Sequence, residues 1–352
     1  VRRWAGYFHE RGHDVLLLSF ENVEGCPFPS VRLPMRLPTK LAGYLSSLSP
    51  VRKILRDFRP DLLNTLYVSG YGLLGSLSGA KPFVVSALGS DLLVDYPKNV
   101  IHRIQIRRAL GRADLVTTDA EILSEAAVAA GASRAKILKI FFGIDGTIFH
   151  PAPDKERPTA GEIPAITIIS TRNLYDIYNL DLLIDASPLI LKRIDARFIV
   201  CGDGPLREKL EERAACPGMK ERFTFTGRLD PSSIAALLRK ADVYVSTSRS
   251  DSTSVSLLEA MASGAFPVVT DIPANREWIE DGINGRLFPA DSPEGLASAV
   301  IAADHGSMEK SRKINAGLIA EKGLWKPNME IIEGAFIRLV SEKGRGSTGK
   351  SA

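Results

Sequence analysis

The chain has 352 residues, 45% of them apolar and 24% charged, with a formal net charge of +4. That length suits two domains, since domains cluster near ~100–150 residues, and the balance excludes a disordered polymer. No apolar run reaches the ~18–20 residues of a membrane-spanning helix, and the basic excess is too small for a nucleic-acid binder, though it leaves room for phosphates or a membrane surface.

The chain opens inside an amphipathic helix, Arg2 to Arg11, ended by Gly12, and then enters a strand in VLLLSF (15–20). A doubly wound domain carries a strand ahead of its first helix, so the sequence is expected to lack its natural N-terminus and first strand. Residues 21–50 read as irregular. Ser49 as cap with Pro50 at the first helical position opens a helix, and the apolar runs LLNTL (62–66), FVVSAL (83–88), LVTT (115–118) and ILKI (137–140) follow with helical stretches between them. Arg103, Arg107, Arg108 and Arg112 cluster on one predicted helix, where a solvated face is the plainer reading and a lipid-headgroup patch the alternative. From His150 to Pro164 the chain carries prolines at 151, 153, 158 and 164 and no apolar periodicity, which predicts a linker over 151–164.

The second half restarts the pattern with ITIIS (166–170), RFIVC (197–201), FTFTG (223–227), VYVST (243–247) and FPVVT (266–270). Strand-length runs alternating with helices predict an α/β fold of two Rossmann-like domains with parallel sheets. The expected division is 1–150, a linker, 165–325, a terminal helix over 326–342 and a frayed tail from 343 to 352. Cys26, Cys201 and Cys216 are odd in number and contain no Cys-x-x-Cys pair, which argues against a disulfide framework or a zinc site and suits a reducing cytoplasm.

Three segments carry chemistry. Gly202-Asp203-Gly204-Pro205 links a strand to a helix, either as a plain turn or as a place where backbone amides approach an anion. Arg172 follows ITIIS at the carboxyl edge of the sheet, either as a surface arginine or as a clamp for a diphosphate. The stretch Ser248 to Val269 leaves a strand, passes through small hydroxyl residues and enters a helix opened by Ser252 or Ser254. Asp251 lies before that helix and Glu259 within it, so the two carboxylates can meet different parts of one ligand while the amides of Ser254, Val255 and Ser256 face its phosphates. The plainer alternative makes Asp251 a helix cap and Glu259 the partner of a lysine.

In their order and spacing, RRWAGYFHERGHDV, FGIDGTIFHP, CGDGPLREKL, FTGRL and SVSLLEAMASGAFPVVTDIPANREWIEDGINGRLF resemble glycosyltransferase family 4, over nearly the whole chain. The resemblance implies the GT-B fold, two facing Rossmann-like domains with the active site in the cleft between them. It implies retaining transfer of a hexosyl group from a nucleotide-diphosphate sugar to an acceptor hydroxyl, with no metal or other cofactor; the sequence has no Asp-x-Asp pair to hold a divalent ion. The acceptor is expected to be a glycan, a lipid-linked molecule or a small molecule, in cell-envelope or polysaccharide synthesis. A cytoplasmic location is expected, with peripheral association at the inner membrane face as an option and no nucleic-acid partner.

The family's two glutamates eight positions apart fall on Asp251, shortened by one methylene and facing the donor sugar, and on Glu259, holding the ribose. Arg172 keeps the clamp arginine, while Tyr178-Asn179 stand where a lysine is common. Leu88 precedes Gly89-Ser90-Asp91 where a histidine is common. Expected catalytic residues are Asp251, Arg172 and Asp91. Donor-binding residues are Glu259, Ser254, Val255, Ser256, Gly202, Gly204, Gly89 and, near the base, Arg228. Two other activities fit the same sequence: a nucleotide-sugar-binding relative without turnover, motivated by the missing histidine and lysine, and a GT-B-fold nucleotide-sugar epimerase.

Overall fold

The structure is a computed structural model and describes residues 1–35, 39–152 and 165–348. By their internal contacts the residues form two compact units, Val1–Ile140 with Pro327–Ala352, and Phe141–Lys326.

In the first unit, β1 (Leu17–Ser19) pairs in parallel with β2 (Ser30–Arg32). A separate parallel sheet runs in the order β3 (Leu63–Leu66), β4 (Phe83–Ser86), β5 (Leu115–Thr118), β6 (Ile137–Lys139). Every residue of β4 is buried, as expected of a strand with neighbours on both sides and helices over both faces. β2 falls inside the stretch read as irregular; all three of its residues are exposed, so it carries no apolar alternation to find. Residues of β1 and β3, whose facing edges are unpaired among the described residues, line an apolar cavity of about 730 Å³. The opening helix, Arg2–Glu10, is joined to the terminal helix, Trp325–Thr348. Tyr7 donates to Glu333 Oε2 at 3.0 Å, His13 Nε2 lies 2.8 Å from Glu333 Oε1, and the Phe8 ring stacks on Phe336 at 5.5 Å.

The second unit holds one six-stranded parallel sheet. Its strands are β7 (Ile166–Ser170), β8 (Ala196–Cys201), β9 (Phe223–Gly227), β10 (Val243–Ser246), β11 (Phe266–Thr270) and β12 (Arg286–Phe288), in the spatial order β12-β11-β10-β7-β8-β9. Neighbouring residues of its central strands enter two different cores. Ile168, Val243, Val245 and Val268 pack on one side, and Ile169, Tyr244 and Val269 on the other. Alternation with both faces apolar is what a parallel sheet covered by helices on both sides requires.

The chain leaves β7 through β8 and β9 in one direction and returns to β10 on the other side of β7. The connections after β7 and β10 therefore diverge, opening a crevice at the carboxyl ends of these strands where ligands of open α/β sheets bind.

The chain was expected to divide after residue 150, but Phe141, Ile144 and Phe149 pack into the second unit's core with Leu257 and Trp278. Their apolar side chains carry the segment across the expected boundary. Most of the expected linker, 153–164, lies outside the described residues.

Candidate functional site

At the β7/β10 crevice the sequence places an arginine on one connection and a hydroxyl-rich loop on the other. Ser254 caps the helix Val255–Ser263: its backbone is extended and its side chain accepts from the amide of Leu257 at 3.3 Å. Leu257, Leu258, Ala260 and Met261 are buried and fix the helix on the sheet, while Val255 and Glu259, one turn apart, lie on its more open side. With the Leu257 amide taken by Ser254, the amides of Val255 and Ser256 stand first at the positive end of the helix dipole.

Arg172 reaches across from the loop after β7. Its Nη1 donates to Ser254 Oγ at 2.7 Å and to Ser256 Oγ at 2.9 Å, and its Nη2 donates to Asp251 Oδ2 at 2.6 Å. The Tyr178 ring covers the guanidinium, its centroid 4.0 Å from Arg172 Cζ, a cation–π contact in a partly desolvated setting. Tyr244, buried in the middle of β10, places its hydroxyl 2.9 Å from Ser256 Oγ. The Nε of Arg172 is buried and has no hydrogen-bond partner among the described residues, a donor left unsatisfied.

Charge in this network is held by mutual compensation. Burial works against the Arg172 cation, but the Asp251 carboxylate, together with Tyr244 and Tyr178, outweighs it and raises the guanidinium pKa. Burial pushes the Asp251 carboxyl above the usual carboxylate range, with the Arg172 charge pulling it back. A buried cation with a free donor beside a helix N-terminus suits an anionic group.

Gly202 and Gly204 belong to the same neighbourhood. A Cβ on Gly202 would lie 2.6 Å from the carbonyl oxygen of Arg172, and one on Gly204 would lie 2.4 Å from that of Leu174. Leu174 N donates to Asp203 O and Leu206 N donates back to Leu174 O. The two glycines thus let the loop after β8 press on the Arg172 loop and fix where that arginine starts. Arg228 is exposed just past β9.

Asp91 and Gly89 lie in the first unit. The Asp91 side chain is fully buried; Oδ2 accepts from Val68 N at 2.8 Å, and Oδ1 accepts from Leu88 N at 3.2 Å and Leu92 N at 3.1 Å. Burial raises its pKa, against the pull of those amides. Its geometry is that of a carboxylate pinning two backbone segments. Gly89, at φ +104°, makes the turn that brings Leu88 and Leu92 to it. The structure brings Arg172, Asp251, Ser254 and Ser256 into one hydrogen-bonded cluster, to which it adds Tyr244 and Tyr178, neither singled out by the sequence as part of it. A tyrosine in an apolar strand looks like core until its hydroxyl is seen to have a partner.

Comparison with known proteins agrees in both halves. The model of the group 1 glycosyl transferases matches residues 165–303, and a model of glycosyl transferase 4-like proteins matches residues 1–120. The chain is 33% identical over 140 residues to phosphatidyl-myo-inositol mannosyltransferase from Mycobacterium leprae, a match covering 39% of this chain and 37% of that protein. The match therefore spans little more than a third of that relative's length. Among solved structures, sucrose-phosphate synthase from Thermosynechococcus elongatus superposes with a TM-score of 0.81 at 16% identity, covering 97% of this chain and 92% of that one. Anabaena Alr3699/HepE in complex with UDP and glucose gives 0.77 at 18% identity, covering 96% and 94%. With a glycosyl transferase model matching each half, and with two Rossmann-like units of the GT-B type, the chain belongs to the group 1 glycosyltransferases of family 4.

Proposed function

We propose that the protein transfers a hexosyl group from a nucleotide-diphosphate sugar to an acceptor hydroxyl with retention of configuration. The observation that carries this is the buried Arg172, tied to Asp251, Ser254 and Ser256 beside a helix N-terminus. In this reading the diphosphate takes the Arg172 Nε–H and the first-turn amides, and Glu259 binds the ribose. Asp251 faces the sugar and holds the guanidinium in place. As the bond from the anomeric carbon to the phosphate oxygen breaks, charge grows on the leaving diphosphate. Preorganised donors at that position stabilise it without reorganising. The acceptor oxygen then bonds to the same face of the sugar, its hydroxyl proton passing to the departing phosphate oxygen, and no metal takes part. Asp91 acts by positioning the Leu88–Leu92 turn. A cytoplasmic setting belongs to the same proposal, supported by Cys26, Cys201 and Cys216 being free thiols. UDP in one structural neighbour and a phosphoinositide in the name of one relative make uridine diphosphate sugars and lipid or glycan acceptors the first to try.

One observation favours a second reading, binding without turnover. Tyr178 stacks on Arg172 in the region where the family commonly has a lysine, so the diphosphate meets one cation fewer. Incubation with uridine and guanosine diphosphate sugars, followed by NMR, separates the possibilities. Slow release of nucleoside diphosphate and of a sugar with the donor's anomeric configuration, lost in Glu259→Ala, is expected. Tight binding with no release would establish the second reading, and conversion of the donor to an isomer would establish an epimerase.

A further inference from the structure

The first unit presents a surface that neither the donor site nor its own fold uses. Asn99 caps the helix Val100–Arg112, its Oδ1 accepting from His102 N at 3.0 Å. One stripe of the helix, Gln105, Ile106, Ala109 and Leu110, is buried against the sheet. On the opposite stripe, Val100, Ile101 and Ile104 are 64%, 53% and 62% exposed. They share the first turns of one helix face, so three large aliphatic side chains form a single apolar tip in water.

Five cations surround or follow this tip: Lys98, Arg103, Arg107, Arg108 and Arg112. From Tyr96 to Arg112 there is no aspartate or glutamate. Arg103 donates to the carbonyl of Pro97 at 3.5 Å and Arg107 to the hydroxyl of Tyr96 at 3.1 Å, both neutral acceptors. Arg107 and Arg108 continue the stripe of Ile104 one turn on, so the exposed face runs from apolar to cationic along the helix.

We propose that this face docks on an anionic lipid surface, with Val100, Ile101 and Ile104 inserted among the acyl chains and the arginines at the phosphate level. Apolar residues beside unneutralised cations are the pattern of an interfacial helix. Charge complementarity selects this occupant over a second copy of the chain, because a symmetric contact would set the same cations against each other. Three side chains also fall short of the ~1,000 Å² expected of a stable protein interface. The docking stands independently of sugar transfer, since it uses no residue of the donor site.

Co-sedimentation of the full chain with vesicles, in the absence of any nucleotide, tests it. Binding to equimolar phosphatidylglycerol and phosphatidylcholine is expected, with weak binding to phosphatidylcholine alone and loss as salt rises. Ile101→Ser with Ile104→Ser is expected to weaken binding about tenfold or more, and Arg103→Gln with Arg107→Gln and Arg108→Gln to remove the preference for the anionic lipid. All five side chains are exposed, so thermal unfolding of the variants should match that of the parent. No binding to the anionic vesicles, undiminished binding by the serine variant, or a parent dimer that this variant abolishes in place of vesicle binding would overturn the proposal.

Discussion

Asp91 in the first unit and Asp251 in the second are both held away from water, and burial raises the pKa of each. Their partners differ. Asp91 is fully buried and accepts from the backbone amides of Val68, Leu88 and Leu92, which ties it to its own fold. Asp251 keeps part of its side chain open and answers to the guanidinium of Arg172, which has a donor left over. A carboxylate satisfied by the main chain does structural work, whereas one that balances a buried cation at a sheet's switch point leaves chemistry available to a ligand.

The comparison can be broken by variants. Arg172→Met, which leaves the Asp251 carboxyl without its cation, is expected to lower the second unit's stability by about 3 kcal/mol. Denaturant unfolding checks this, and adding Asp251→Asn should recover part of the loss. Asp91→Ala, which strands buried amides, should cost the first unit about 2 kcal/mol while leaving nucleotide-sugar affinity unchanged by calorimetry. A loss of affinity from this variant with stability intact would reverse the roles assigned to the two aspartates.

The smallest effect is on pH dependence. Because the folded-state pKa of Asp91 lies above its ordinary value of 3.8, the folded chain binds the more protons in the window between the two. Its contribution to stability is therefore full below the ordinary value and is lost as pH rises through the folded one. In Asp91→Asn this part of the slope should vanish from stability measured across acidic pH. An unchanged slope would show that the carboxyl is not held above its usual range.

Much of the second unit was legible because its signals are local. ITIIS, FTFTG and FPVVT are apolar runs bounded by turn residues, and they form β7, β9 and β11 over the predicted residues. The cap at Ser254 could be read from a hydroxyl residue before an apolar helical run. What escaped depended on distant partners. Gly202 and Gly204 serve the approach of two loops, which no spacing within CGDGP reveals. Tyr244 reads as core because its strand neighbours are valines, and only the fold brings Ser256 to its hydroxyl. β12 is a strand of three residues, Arg286–Phe288, too short for alternation to register. The resemblance of Gly89-Ser90-Asp91 to a family motif places Asp91 near the reacting sugar, and the amide of Val68 that reaches its carboxyl lies outside that motif.

The central claim is that Arg172, fixed by Asp251 and two serines, grips the diphosphate of a sugar donor. Calorimetric titration of the parent, Arg172→Lys and Asp91→Asn with uridine and guanosine diphosphates tests it most directly. Lysine keeps the charge and loses the forked donors. The account predicts that one nucleotide binds the parent, that Arg172→Lys weakens it about tenfold or more, and that Asp91→Asn binds it like the parent. Equal affinity of the parent and Arg172→Lys would contradict it.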